Sequence, residues 1–267
     1  MTQAERRLYL IRSLLNEKTE YQSLNVPRDA GEQRKLLRSL MNVRMPKVAD
    51  EAFLRVQDKY LQQELADEGI TDLDDLRPVS GDLYLWQGDI TRLKCGAIVN
   101  AANSGMTGCY IPCHACIDNC IHTFAGVQLR QDCAALMAEQ GHEEPTGQAK
   151  ITKAYNLPCD YVLHTVGPIV SGRVTREDER LLASCYRSCL ELAEKNSVRS
   201  IAFCCISTGV FHFPNERAAE IAVETVRRYK VETGSKIKVV FNVFKDLDKT
   251  IYERLLSANC ALSLIHI

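Results

Sequence analysis

Between Gly88 and His122 the chain reads GDITRLKCGAIVNAANSGMTGCYIPCHACIDNCIH, and one short part of it gathers sulfur and imidazole side chains. Cys109, Cys113, His114, Cys116, Cys120 and His122 are all candidate metal ligands. Thiolate and imidazole together suit zinc, and three such ligands with an open fourth position make a site for catalysis rather than for structure alone. Gly108 and Pro112 keep the segment out of regular structure, so that several side chains can converge on one point. Residue types do not say which three converge. The competing reading is reduced core cysteines with satisfied histidines, and Cys185, Cys189, Cys204 and Cys205, in apolar surroundings, do read as small buried side chains.

Whatever this loop does, other elements must hold it. Apolar residues at helical spacing (Leu8, Leu10, Ile11, Leu14, Leu15; then Leu36, Leu37, Leu40, Met41) predict two helices, and a third is predicted over 49–68 with Phe53, Val56, Tyr60, Leu61 and Leu65. Turn residues Gly69, Asp74, Asp75 and Pro78 then close a helical N-terminal extension at 1–80. From there short β-branched runs alternate with amphipathic ones, which predicts an α/β domain at 81–260 around a central sheet. Strands are expected at 83–87, 97–100, 149–155, 161–166, 200–205 and 238–244, and helices at 118–139, 176–196, 215–229 and 248–256. The last residues, 261–267, fit no period and read as a frayed or non-native tail.

The 267 residues carry a formal net charge of -1, without a block of one sign, so neither nucleic acid nor an anionic membrane is expected as a partner. The N-terminal residues lack an uninterrupted apolar segment with a cleavage site, and a cytoplasmic monomer is expected. In such a setting 12 cysteines point to thiols or a metal rather than disulfides.

Four separated motifs in this order, GDIT at 88–91, IVNAANSGMTG at 98–108, IDNCIH at 117–122 and ISTGVFHFP at 206–214, resemble the macrodomain family of ADP-ribose binders and ADP-ribosyl hydrolases. Within the loop, the succession of GC, P, H, C, IDN and IH is similar to the zinc-containing branch found in bacteria and fungi, which is associated with sirtuin-type ADP-ribosyltransferases and lipoyl-carrier proteins. The resemblance covers about 82–256 and implies a three-layer α/β/α fold with a central mixed sheet.

The resemblance also implies roles. Asp89 would accept from the adenine amino group, with the backbone of Ile90 alongside the base; the alternative is that Asp89 merely caps the next segment. Asn100 and Asn103 match the distal-ribose region, and Asp118 the catalytic aspartate of MacroD-type hydrolases, so Asn103 and Asp118 are the candidate catalytic pair. One zinc ion per chain would sit on Cys109, His114 and Cys116, leaving Cys113 and Cys120 as bystanders and His122 in the core or behind the ligands. Ser207, Thr208, Gly209, Val210 and Phe211 would wrap the diphosphate with backbone N–H groups, which lets a near-neutral protein bind a polyanion. Phe244 would either stack on adenine or lie in the core. GQAKIT at 147–152 and HTVGP at 164–168 serve as register marks, with His164 structural.

The expected activity is zinc-dependent removal of mono-ADP-ribose from a modified protein side chain, with a lipoyl-carrier protein one carrier that the resemblance suggests. The alternative is a non-catalytic ADP-ribose reader with a structural zinc.

Overall fold

A computed structural model describes residues 1–21 and 23–257; the predicted tail at 261–267 lies outside the described residues. The N-terminal region forms α1 (Gln3–Asn16), α2 (Ala30–Val43) and α3 (Glu51–Glu68). Each begins on a side chain that supplies a missing helix acceptor: Thr2 in a capping box with Glu5, Asp29 accepting from the Glu32 N–H, and Asp50 accepting from those of Ala52 and Phe53. Their apolar faces meet in a small core of Leu10, Ile11, Leu14, Leu37, Leu40, Phe53 and Tyr60 that also takes in Val127 from the main body.

Downstream lie β1 (Thr71–Asp72), β2 (Leu83–Gln87), β3 (Leu93–Lys94), β4 (Ala97–Ala102), α4 (Ile117–Ala125), α5 (Val127–Gln140), β5 (Ala149–Lys153), β6 (Tyr161–Val166), α6 (Arg176–Lys195), β7 (Ser200–Phe203), α7 (Asn215–Thr233), β8 (Lys238–Val243) and α8 (Asp246–Ser257). β1 and β3, not foreseen in the sequence, form a small parallel pair. The main sheet has six strands in the order β2-β8-β7-β4-β6-β5, parallel except for the antiparallel edge pair β5–β6. Strands buried on both faces read as unbroken apolar runs rather than as alternation, as in VVF of β8.

Helices cover both faces. On β6, His164 points toward α4 and α5, where Cys133 lies, and the next residue, Thr165, points toward Cys185 and Cys189 of α6. α7 packs against α6 and α8, completing the second helical layer. The expected three-layer α/β/α fold with a mixed sheet and a helical N-terminal region is the fold observed.

One helix expected at 118–139 is two. Gly126, at φ +101°, breaks it, and a Cβ there would lie 2.6 Å from Gln57 Nε2 of α3, so the break is where the extension docks. β7 stops at Phe203 rather than at residue 205, and β5 at Lys153 rather than at 155, because the chain turns out of the sheet at both places. No helix among the described residues is long and apolar enough to cross a membrane.

Candidate active site

Five neighbouring strands, β2, β8, β7, β4 and β6, run parallel, so their carboxyl ends share one edge, where α/β sheets bind ligands. The candidate residues follow those ends: Asp89 after β2, Asn103 after β4, Ser207–Phe211 after β7 and Phe244 after β8. Backbone strain gathers there too. Of six non-glycine residues with positive φ among the described residues, Met106, Cys113, Ser207 and His212 lie in the two loops after β4 and β7.

At the centre lies a carboxylate held between two amides. Asn100 Nδ2 donates to Asp118 Oδ1 at 2.8 Å, and Asn103 Nδ2 donates to Asp118 Oδ2 at 3.2 Å. Asp118 is only 5% exposed, so it lies beneath the amides and does not face open solvent. Burial pushes its carboxyl up to about 6, against the downward pull of Asn100, Arg130 and Asn103. Asn103 also donates to Gly108 O at 3.2 Å and accepts from the Gly105 N–H at 3.0 Å. Both its amide hydrogens are thereby engaged, and what it can offer a sugar hydroxyl is the remaining lone pair of Oδ1.

Behind this pair is a buried layer that contains His164 and His122, expected to be structural and core residues. His164 Nδ1 lies 3.2 Å from Asn100 Nδ2, and its Nε2 lies 2.9 Å from Thr152 Oγ1. Burial holds His164 neutral, with its pKa down at about 3, and burial likewise pushes His122 well down. A neutral imidazole can accept from the Asn100 amide at Nδ1 while its Nε2–H donates to Thr152. His122 sits 3.6 Å from Asp118 Oδ1, beyond hydrogen-bond distance, with its ring flat against Gly108. Gly108 needs to be glycine twice over: φ is +85°, and a Cβ would come within 2.8 Å of the His122 ring. The histidine of IDNCIH is thus packing for the loop.

Cys109, His114 and Cys116 converge, their ligand atoms all within 4.8 Å of one another, and Cys109 Sγ lies 3.5 Å from His114 Nδ1. Tetrahedral zinc with ordinary Zn–S and Zn–N bonds needs a sulfur–nitrogen separation of about 3.6 Å, so this donor set fits the ion. Cys116 is also the N-cap of α4, its Sγ accepting from the Asn119 N–H at 3.4 Å. Burial, with the neighbouring Cys109, pushes the Cys116 thiol up; a bound cation would take the place of its proton. Cys113 and Cys120 face α2 instead: Cys113 Sγ lies 3.2 Å from Ser39 Oγ, and Cys120 Sγ is 3.5 Å from Arg38 Nη2.

The turn after β7 presents backbone donors. Thr208, His212 and Phe213 N–H groups bond within the turn, to Cys205 O, Gly209 O and Ser207 O, while those of Ser207, Gly209, Val210 and Phe211 donate to no backbone acceptor among the described residues. Ser207 turns the chain at φ +64°, and its buried Oγ lies against Gly167 without a partner. Val210 is 65% exposed, an apolar side chain left at the rim of the turn.

Asp89 makes the capping contact that was its alternative reading. Its Oδ1 accepts from both the N–H and the Oγ1 of Thr91, at 2.9 and 2.7 Å, which caps a short turn; Oδ2 is left for another donor. Thr91, the last residue of GDIT, is the residue missed here, and its spacing from Asp89 was the available signal. Ile90 is fully buried, so only its backbone can meet a ligand. Phe244 is 76% exposed, which excludes the core alternative. A hollow of about 300 Å³ lies between α2, α3 and α4, with Thr91 and Cys113 in its lining.

The Macro domain family model matches residues 99–222. A Treponema medium protein named protein-ADP-ribose hydrolase is 62% identical over 96% of this chain and all of its own length. One of the same name from Staphylococcus aureus strain MSSA476 is 50% identical over 92% of both chains. Among solved structures, the Trypanosoma brucei macrodomain in complex with ADP-ribose superposes with a TM-score of 0.64 at 31% identity, covering 82% of this chain and 94% of that one. The chain belongs to the macrodomain family.

Proposed function

We propose that this protein is a hydrolase that removes mono-ADP-ribose from modified protein side chains, and that it uses zinc to do so. Its relatives of 50–62% identity, matched over nearly their whole length, carry the name protein-ADP-ribose hydrolase. The observation that carries the reading is local: the Asn103–Asp118 pair closes the loop that carries the Cys109–His114–Cys116 cluster, on the sheet edge that also holds the donor-rich turn.

In this reading Asp89 Oδ2 accepts from the adenine amino group while Phe244 covers the base. The free N–H groups of 207–211 take the diphosphate without any lysine. These contacts, remote from the reacting bond, hold the distal ribose against Asn103, whose Oδ1 accepts from a ribose hydroxyl. Asp118 acts one step behind, fixing the direction in which the Asn103 amide faces. Cys109, His114 and Cys116 would hold zinc, which would supply Lewis acidity or a water of lowered pKa. Hydrolysis gives free ADP-ribose, with the water hydroxyl on the distal ribose and the proton on the released side chain. A lipoyl-carrier protein is our candidate for the modified protein, from the likeness to the zinc-containing branch.

Mass spectrometry of a mono-ADP-ribosylated protein, incubated with zinc-loaded and with verified zinc-free enzyme, tests both parts. We expect release of ADP-ribose only in the first case. Full activity without zinc removes the metal from the mechanism, and binding without release in both would make the protein a reader.

A further inference from the structure

The helical extension touches the metal loop at its most strained point. Cys113 holds φ +53° without being glycine, a conformation that persists only when its surroundings over-determine it. Those surroundings come from α2. Asn42 Oδ1 accepts from the Cys113 N–H at 2.9 Å, and Asn42 Nδ2 donates to Thr123 Oγ1 of α4 at 2.8 Å. One turn away, Arg38 Nη2 donates to His114 O at 2.8 Å and to Asn119 Oδ1 at 3.0 Å. Asn119 passes the restraint on: its Nδ2 donates to Ile111 O at 2.9 Å and Cys109 O at 3.3 Å. The backbone on both sides of the His114 Cα is therefore tied to α2, and the carbonyl of Cys109 is tied through one intermediate. The C-terminal end of α2 is in turn fixed by Arg130 of α5, whose Nη1 donates to the carbonyls of Asn42 and Arg44 at 2.6 and 2.7 Å.

We infer that α2 is the positioning element of the metal loop: Arg38 and Asn42 set the backbone of Cys113 and His114 so that the imidazole converges with the two thiols before any ion arrives. Pre-organisation of this kind raises metal affinity because the loop has less freedom left to lose on binding. The zinc consequence rests on the function proposed above, whereas the positioning of the loop does not.

The test uses the full chain and the variants Asn42→Ala and Arg38→Lys, the second of which keeps the charge but not the planar fork. Two quantities are read: amide hydrogen exchange along 109–116 in metal-free protein, and zinc affinity by competition with a chromophoric chelator. We expect Cys113 and His114 amides to exchange at least about ten-fold faster in Asn42→Ala, and zinc affinity to fall by about ten-fold or more in both variants, the usual effect of losing an outer partner of a ligand. ADP-ribose affinity of the metal-free protein stays at the wild-type value. Loop exchange that rises no more than that of α2 itself overturns the inference, since the contacts would then serve stability alone. If wild-type protein takes up no zinc, the metal reading fails, and the exchange measurement by itself upholds or overturns the positioning.

Discussion

Asn103 and Asp118 meet through one hydrogen bond, Nδ2 to Oδ2 at 3.2 Å, and with Asn100 on the other oxygen the carboxylate accepts from two amides at once. Asp118→Asn puts a donor where an acceptor is needed, so one amide loses its partner or turns away. Hydrolysis should fall by about 100-fold, the scale of a lost orienting or proton-transferring group, while ADP-ribose affinity of the free pocket changes little. Single-turnover release measured beside calorimetric binding checks this. Equal losses in both would assign Asp118 to scaffolding alone.

Cys116 has two duties that separate by substitution. As N-cap of α4 it accepts from the Asn119 N–H, a task that serine performs well. Metal-free Cys116→Ser should therefore match metal-free wild type in urea, while the variant loses zinc and hydrolysis. Cys116→Ala should lose both activities and a further ~1 kcal/mol of stability.

Gly108→Ala introduces a Cβ at φ +85°, 2.8 Å from the His122 ring. A cost of about 1–3 kcal/mol is expected from backbone strain and overpacking together, seen as a drop in Tm of about 2–4 °C per kcal/mol for a chain of this size. An unchanged Tm would show that the loop and His122 shift apart freely.

Phe244→Ala tests an aromatic that is 76% exposed. Stability should change by no more than about 0.5 kcal/mol, whereas ADP-ribose affinity should fall roughly ten-fold or more through lost base stacking. A loss of several kcal/mol in folding stability instead would return Phe244 to the core.

His164 is buried and neutral, with its pKa down at about 3 from an ordinary 6.5 because of burial. The unfolded chain binds the proton first, so its contribution is fully retained above pH 6.5 and lost as pH falls from there toward 3, by up to about 1.4 kcal/mol per pH unit. Asp118, raised from 3.8 to about 6, acts in the opposite sense between those values. Comparing wild type with His164→Gln cancels the groups that do not interact with His164; His122, which His164 also pushes down, changes with it. The variant should show a shallower loss of urea stability on acidification from pH 6.5 to 5, and equal slopes would refute the assignment.

The fold was largely readable because its signals are local. Caps, apolar runs and turn residues placed nearly every element of the main sheet, and the order of GDIT, NAAN, IDN and STG placed the candidate residues at strand ends. What escaped is settled by distant partners. Gly126 looks like a tolerable helix residue until Gln57, 69 positions earlier, is brought against it. The choice among six sulfur and imidazole candidates could not be made from spacing, because it depends on α2 drawing Cys113 and Cys120 to its own side. Asn119, Thr152 and His164 escaped for a similar reason: each looks like an ordinary polar residue in its own segment, and only the packing of separate strands and helices makes them neighbours of the site.

The break at Gly126 also decides how the molecule comes apart. α5 has no side-chain cap of its own; the N–H of its first residue, Val127, is satisfied by Gln57 Oε1 of α3 at 3.0 Å, and Val127 completes the small core of the extension. A chain that shed its first three helices would leave α5 uncapped and take from Arg130 its carbonyl partners on Asn42 and Arg44. The two hydrophobic cores are therefore one cooperative unit, which should melt in a single transition.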